Sequence, residues 1–268
     1  MATSPVRSLV AGNWKMNRGG PDAADLARAV LAELGGKAPD EVDAALLPPF
    51  TALGAVGAAI GKSGLLLGAQ DCHPGPEGAN TGAVAAEMLA AWGCTLVLCG
   101  HSERRRDHGE DDKAVRARVG AALRAGIRPV LCVGETRTER DAGKTGAVLS
   151  RQVRAGVDGL APEDATSLDV AYEPVWAIGT GKNATPEQAA EGHRTVREAL
   201  AEAFGREPAT AVRVIYGGSV NPGNAAALLA APGVDGALVG GASLDAAAFA
   251  AIVRAAAPAK AGSARGGR

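Results

Sequence analysis

The sequence predicts a closed (β/α)8 barrel, eight parallel strands inside a ring of outer helices, filling residues 1–257 as a single domain. Three observations carry this prediction. Eight short apolar, β-prone runs recur along the chain, alanine-rich segments with helical spacing separate them, and polar or glycine-rich clusters directly follow five of the runs. Strands alternating with helices make βα units around a parallel sheet, and eight units suggest closure where an open doubly wound sheet more often has fewer. A length of 268 residues suits one such barrel, and 47% hydrophobic residues supply its core.

The first strand is read at 9–11, running into Asn13-Trp14-Lys15, with a helix at 23–34 behind it. Strands follow at 42–47 and 65–69. The fourth, at 95–99, runs into Gly100-His101-Ser102-Glu103, and 113–125 is the next long helix, with Gly126 placed for a left-handed end. The fifth strand is 129–133, and the sixth, 168–172, delivers Glu173. Thr185, Pro186 and Gln188 form a capping box with proline in the first turn, opening a helix at 186–204. The seventh strand, 212–216, runs into Gly217-Gly218-Ser219 and a helix at 224–230. The eighth, 237–239, runs into Gly240-Gly241 and a helix at 246–256. The small, polar, basic residues 258–268 predict a disordered tail.

Composition excludes several classes of function. A net charge of −1, with no basic block longer than Arg104-Arg105-Arg106, argues against nucleic acid as the main partner. The N-terminus lacks the apolar core of a signal peptide and no run reaches membrane-spanning length, so a cytoplasmic protein without membrane contact is expected. Cys72, Cys94, Cys99 and Cys132 form no C-x-x-C pair and read as reduced, mostly buried thiols rather than metal ligands.

In a barrel, every cluster that follows a strand arrives at the same face, the one that carries active sites. Glu173 ends a rigid strand and is followed by Pro174 and a segment closing on Gly179-Thr180-Gly181-Lys182. A fixed acid below a pivoting cover is how a base that works away from water is built. Gly217-Gly218-Ser219 and Gly240-Gly241 let backbone amides approach a phosphate, helped by the helices beyond them. Lys15 supplies a fixed positive charge beside that phosphate. His101, where a strand hands over to a helix begun by Ser102, is placed to act as a neutral donor to a substrate oxygen. No nucleotide P-loop is present: neither Gly143-Lys144-Thr145 nor Gly181-Lys182-Asn183 has the required pattern.

These residues fall in runs that resemble the triosephosphate isomerase family over nearly the whole chain. The matching runs are Gly12-Asn13-Trp14-Lys15-Met16-Asn17, Gly100-His101-Ser102-Glu103-Arg104-Arg105, and the stretch from Tyr172 to Gly181. Tyr216-Gly217-Gly218-Ser219-Val220 and Val239-Gly240-Gly241-Ala242-Ser243 complete them. The resemblance implies the fold named after that family, the TIM barrel, and interconversion of dihydroxyacetone phosphate and D-glyceraldehyde 3-phosphate, in glycolysis and gluconeogenesis. Glu173 would be the base, neutral His101 the electrophile, and Lys15 and Asn13 the groups that stabilise developing charge. Glu103 and Ser102 would support them from behind. Gly179, Ser219, Gly240 and Gly241 would bind phosphate, and Pro174, Val175, Trp176, Ala177, Ile178, Thr180, Gly181 and Lys182 would form the lid. Cys132 resembles a structural position, and the resemblance implies neither cofactor nor metal.

It also implies a homodimer through the 71–83 loop. There the sequence keeps Thr81 but carries Asn80 and Ala83 where the family usually has an aromatic and an acidic residue. A weakened loop contact is therefore expected. The residues also admit an isomerase of a four-carbon ketose phosphate, a Schiff-base aldolase on Lys15 or Lys182, or a binding protein that retains only the phosphate pocket.

Overall fold

The computed structural model describes residues 7–178 and 184–257. The expectations for Gly179, Thr180, Gly181 and Lys182, and for the tail at 258–268, lie outside the described residues.

Eight strands close into one parallel barrel in sequence order. They are β1 Ser8–Asn13, β2 Val42–Leu47, β3 Leu66–Ala69, β4 Cys94–Cys99, β5 Arg128–Val133, β6 Asp169–Tyr172, β7 Arg213–Tyr216 and β8 Gly236–Val239. The seam is β1 against β8, where Leu9 pairs with Gly236 and Gly12 with Val239. Each expected strand is found within a residue or two of its place. Short apolar runs rich in Val and Leu have no better option than a sheet buried on both faces.

The helices surround this sheet: α1 Ala23–Glu33, α2 Leu53–Ile60, α3 Ala86–Ala91, α4 Ser102–Asp107, α5 Asp112–Arg124 and α6 Arg137–Asp141. They continue with α7 Thr145–Val157, α8 Pro186–Phe204, α9 Arg206–Ala209, α10 Ala225–Leu229 and α11 Ala246–Ala256. The expected capping box forms at α8, with Thr185 accepting from the Gln188 amide and Gln188 returning the bond. Gly126 ends α5 at φ 71. No helix among the described residues is long and apolar enough to cross a membrane.

Alternation along the strands splits the core in two. Leu9, Ala11, Ala45, Leu47, Leu96, Leu98, Val130, Cys132, Ala171, Ile215 and Leu238 fill the barrel interior. Their neighbours, such as Val10, Val97, Val170, Tyr172, Val214 and Tyr216, face outward against the helices. The amino-terminal mouth is closed by ions instead. Arg213 forks onto Asp169 at 2.9 and 2.7 Å and reaches Asp43 at 2.6 Å.

Candidate active site

The same alternation decides which side chains reach the carboxyl-terminal mouth. Ala11, Ala171, Ile215 and Leu238 point inward, so the residues two further on, Asn13, Glu173, Gly217 and Gly240, inherit that direction. Asn13 is 4% exposed and Glu173 1%.

Lys15 takes a left-handed backbone at φ 50, uncommon for a residue with a side chain and typical of functional loops. Its amide donates to Asn13 Oδ1 at 2.9 Å, and Gln70 Nε2 donates to its carbonyl at 2.8 Å, holding the turn from both sides. The ammonium donates to Glu103 Oε1 at 2.6 Å. It also lies over Gly240, with Nζ 3.9 Å from where a side chain on that glycine would begin.

His101 caps α4. The Glu103 amide donates to its Nδ1 at 3.2 Å. A ring nitrogen that accepts carries no proton, so the neutral imidazole holds its proton on Nε2. That Nε2 stands 3.2 Å from Glu173 Oε1, near in distance but off the line of a hydrogen bond, and Oε1 is buried without a partner among the described residues. Glu173 Oε2 accepts the Ser102 amide at 2.8 Å.

A cavity of about 350 Å³ opens beside this cluster, lined by Asn13, Lys15, His101, Ile178, Gly217, Gly218, Ser219, Gly240 and Gly241. Four of the five strand-end clusters thus bound one space. Glu173 departs from the expectation: its carboxylate is turned towards Ser102 and borders a second cavity of about 400 Å³ with Cys132 and Gly134. The open first-turn amide of α4 is a strong partner for a carboxylate and holds it there. Burial and then the negative charge of Glu173 push the neighbouring Cys132 thiol well above the usual range, so it stays protonated.

The glycine ends of β7 and β8 lead into different turns. After β8 a 3-10 turn, Gly241–Leu244, starts at once, and the buried Ser243 hydroxyl donates to Gly240 O at 2.7 Å. After β7 the helix expected at 224–230 forms as α10, one residue shorter at each end. The intervening turn is tied by Asn221 and Asn224, with Asn224 Nδ2 donating to Ser219 O at 3.1 Å. Asparagine side chains that bond nearby backbone favour such turns over an immediate helix.

Pro174, Val175, Trp176, Ala177 and Ile178 leave β6 through a 3-10 turn at Val175–Ala177. Ser219 Oγ donates to Ala177 O at 2.9 Å, tying this segment to the β7 glycines. The fully buried Glu135 holds the other side. Its Oε1 accepts from Trp176 Nε1 at 2.8 Å, Tyr172 Oη at 3.2 Å and Arg140 Nη1 at 3.1 Å. Arg140 also lies over the Trp176 ring at 4.3 Å.

Gln70, Glu135 and Arg105 are site residues that the sequence reading missed. Arg105 bonds Gly100 O at 2.9 Å and Cys132 O at 3.2 Å, fixing β4 and β5 where they end. Gln70 and Glu135 each follow a strand directly or nearly so, which was the available signal. Neither belongs to a glycine-rich cluster.

A sequence model described as "Triosephosphate isomerase" matches residues 8–256. The triosephosphate isomerase of Xanthobacter flavus is 54% identical over 255 residues, spanning 94% of this chain and 99% of the relative. That of Symbiobacterium thermophilum is 50% identical over 253 residues, spanning 94% and 98%. The crystal structure of triosephosphate isomerase from Bartonella henselae superposes with a TM-score of 0.83 at 39% identity, covering 93% of this chain and 99% of that one.

Proposed function

The chain belongs to the triosephosphate isomerase family, and from that premise we propose that its chemistry runs through Glu173, His101, Lys15 and Asn13. It interconverts dihydroxyacetone phosphate and D-glyceraldehyde 3-phosphate, a step of glycolysis. The observation that carries the assignment of roles is the contact of His101 Nε2 with Glu173 Oε1 at 3.2 Å, beside a cavity ending in paired glycines.

Phosphate sits against the backbone of Ser219, Gly240 and Gly241, with Gly179 assigned by family resemblance, and Lys15 faces it. Glu173 swings from the Ser102 amide to the substrate and takes a proton from the carbon next to the carbonyl. His101 Nε2–H donates to the carbonyl oxygen as charge builds there, an arrangement for which this family is the standing example. Asn13 and Lys15 stabilise the enediolate. His101 passes a proton between the two oxygens of the enediol, Glu173 then returns its own proton to the adjacent carbon, and no cofactor or metal enters. Pro174 to Ile178, with Thr180, Gly181 and Lys182, form the lid that excludes water, because an open enediol phosphate can eliminate its phosphate.

Residues 1–257 act as one domain in the cytoplasm, as a homodimer through the 71–83 loop. Supporting the dimer, Asn80, Thr81, Gly82 and Ala83 are exposed, and so are the apolar Met16, Phe50 and, on α3, Met88. With Asn80 and Ala83 in that loop the contact is weak, and sedimentation at micromolar concentration shows dissociation on dilution. A dimer that persists on dilution counts against the weakening.

A coupled assay on D-glyceraldehyde 3-phosphate with Glu173→Asp tests the base. Withdrawing the carboxylate by about 1 Å lowers kcat on the order of 10²-fold with KM nearly unchanged. An unchanged kcat removes Glu173 from the mechanism.

A further inference from the structure

Behind the strand ends that deliver the base and the phosphate loop lies a buried aromatic cluster with no part in the proton transfers. Tyr172 and Tyr216 are the last ladder residues of β6 and β7 and lie directly opposite each other in register. Both face outward towards α8. His193 on α8 is fully buried against both rings. It meets Tyr172 edge-on with centroids 5.8 Å apart and stacks on Tyr216 at 6.4 Å and 25°.

The ring's setting is fixed from two sides. His193 Nδ1 lies 3.0 Å from the Gly233 carbonyl. A carbonyl only accepts, so Nδ1 carries the proton and Nε2 is a bare acceptor, buried without a partner among the described residues. Gly192, one residue earlier, lets α8 come close: a Cβ there would stand 2.2 Å from the Tyr172 ring. Glycine is a poor helix former in mid-helix, and here it accompanies close seating of the helix on Tyr172.

Each tyrosine is one residue from the chemistry. Tyr172 precedes Glu173, and its carbonyl accepts the Gly217 amide at 2.7 Å. Its hydroxyl donates to Glu135 Oε1, the same oxygen that accepts from Trp176. Tyr216 precedes Gly217-Gly218-Ser219, and its buried hydroxyl faces the Ala184 backbone. One histidine therefore touches the anchors of the base and of the phosphate loop together.

We propose that His193 is a positioning residue for the isomerase reaction, a wedge that keeps the ends of β6 and β7 in register so that Glu173 and the phosphate loop address the same substrate. This rests on the roles proposed for Glu173 and Ser219. It distinguishes His193 from an ordinary core residue, because loss of the ring moves the two halves of the site relative to each other. Proton transfer then slows, and more of the enediolate is lost as free phosphate before it is reprotonated.

The test compares the whole purified chain with His193→Phe and His193→Asn. Phenylalanine keeps a ring between the tyrosines and loses the bond to Gly233, whereas asparagine keeps a donor near Nδ1 and loses the ring. Three quantities are read per folded molecule: kcat, KM for D-glyceraldehyde 3-phosphate, and inorganic phosphate released per isomerisation. His193→Asn lowers kcat roughly 10-fold and raises the phosphate fraction several-fold, following the general cost of small misplacements. His193→Phe recovers most of both. If both variants lose only melting temperature, with kcat and phosphate fraction per folded molecule unchanged, His193 is a packing residue and the proposal falls. Absence of isomerase activity in the unaltered chain would instead overturn the roles of Glu173 and Ser219.

Discussion

Replacing Gly134 with alanine displaces Glu173, the proposed base, without altering its side chain. Gly134 follows β5, and a Cβ built there would stand 1.7 Å from the Glu173 carbonyl oxygen and 2.7 Å from its carbonyl carbon. Opening that contact to 3.0 Å requires about 1.3 Å of movement, and both partners are backbone, so no side chain can swing aside. The adjacent bond from the Glu173 amide to Val133 O, at 2.7 Å, resists separation of the strands. Overpacking of this kind costs about 1–3 kcal/mol, or on the order of 5 °C in melting temperature for a chain of this size. The larger effect is kinetic. A base moved by about 1 Å loses on the order of 10²-fold in kcat, whereas KM changes little because the backbone at Gly240 and Gly241 is elsewhere. The coupled assay on folded Gly134→Ala, with calorimetry alongside, reads both. A folded variant with wild-type kcat would refute the claim that the seat of Glu173 sets the rate.

Other expectations concern stability. Among the described residues, Arg213→Met leaves the fully buried Asp169 with only the distant Arg128 at 3.5 Å, which costs about 3–5 kcal/mol. The substitution lies at the opposite mouth from the site, so calorimetry shows a large drop in melting temperature while kcat per folded molecule stays put. Acid lability follows from His193. Burial, reinforced by the nearby Arg197 charge and opposed by the Gly233 carbonyl, holds its folded pKa down at about 4 against an ordinary 6.5. The unfolded chain therefore binds a proton that the folded chain refuses. Stability is intact above pH 6.5 and declines as pH falls towards 4, by about 3 kcal/mol. Urea unfolding across that window shows a shallower decline for His193→Phe, and equal slopes would contradict this origin.

The strands were legible because a sheet buried on both faces leaves a continuous apolar signature: 42–47 was read to the residue. Helices rich in alanine with clear caps, such as α8, were equally open. Short or glycine-bearing ones were not singled out, among them α2 with Gly54 and Gly57 and the six-residue α3. Asn13, Lys15 and His101 could be placed because parallel topology sends every strand end to one face. The orientation of the Glu173 carboxylate was not legible, since it depends on a backbone amide of Ser102 that no residue type announces. Glu135 and His193 were missed for a related reason. Each acts through a neighbour brought close only by folding, Trp176 in one case and two tyrosines in the other.

The central claim is that the Glu173 carboxylate carries a proton between two carbons of a bound triose phosphate, and isomerisation in deuterium oxide tests it most directly. The carboxyl proton exchanges with solvent while the enediolate persists, so nuclear magnetic resonance of the product shows deuterium on carbon in a fraction of molecules. Glu173→Gln gives neither product nor label. Product formed at full rate with every carbon-bound hydrogen retained, or full turnover by the glutamine variant, would contradict the account.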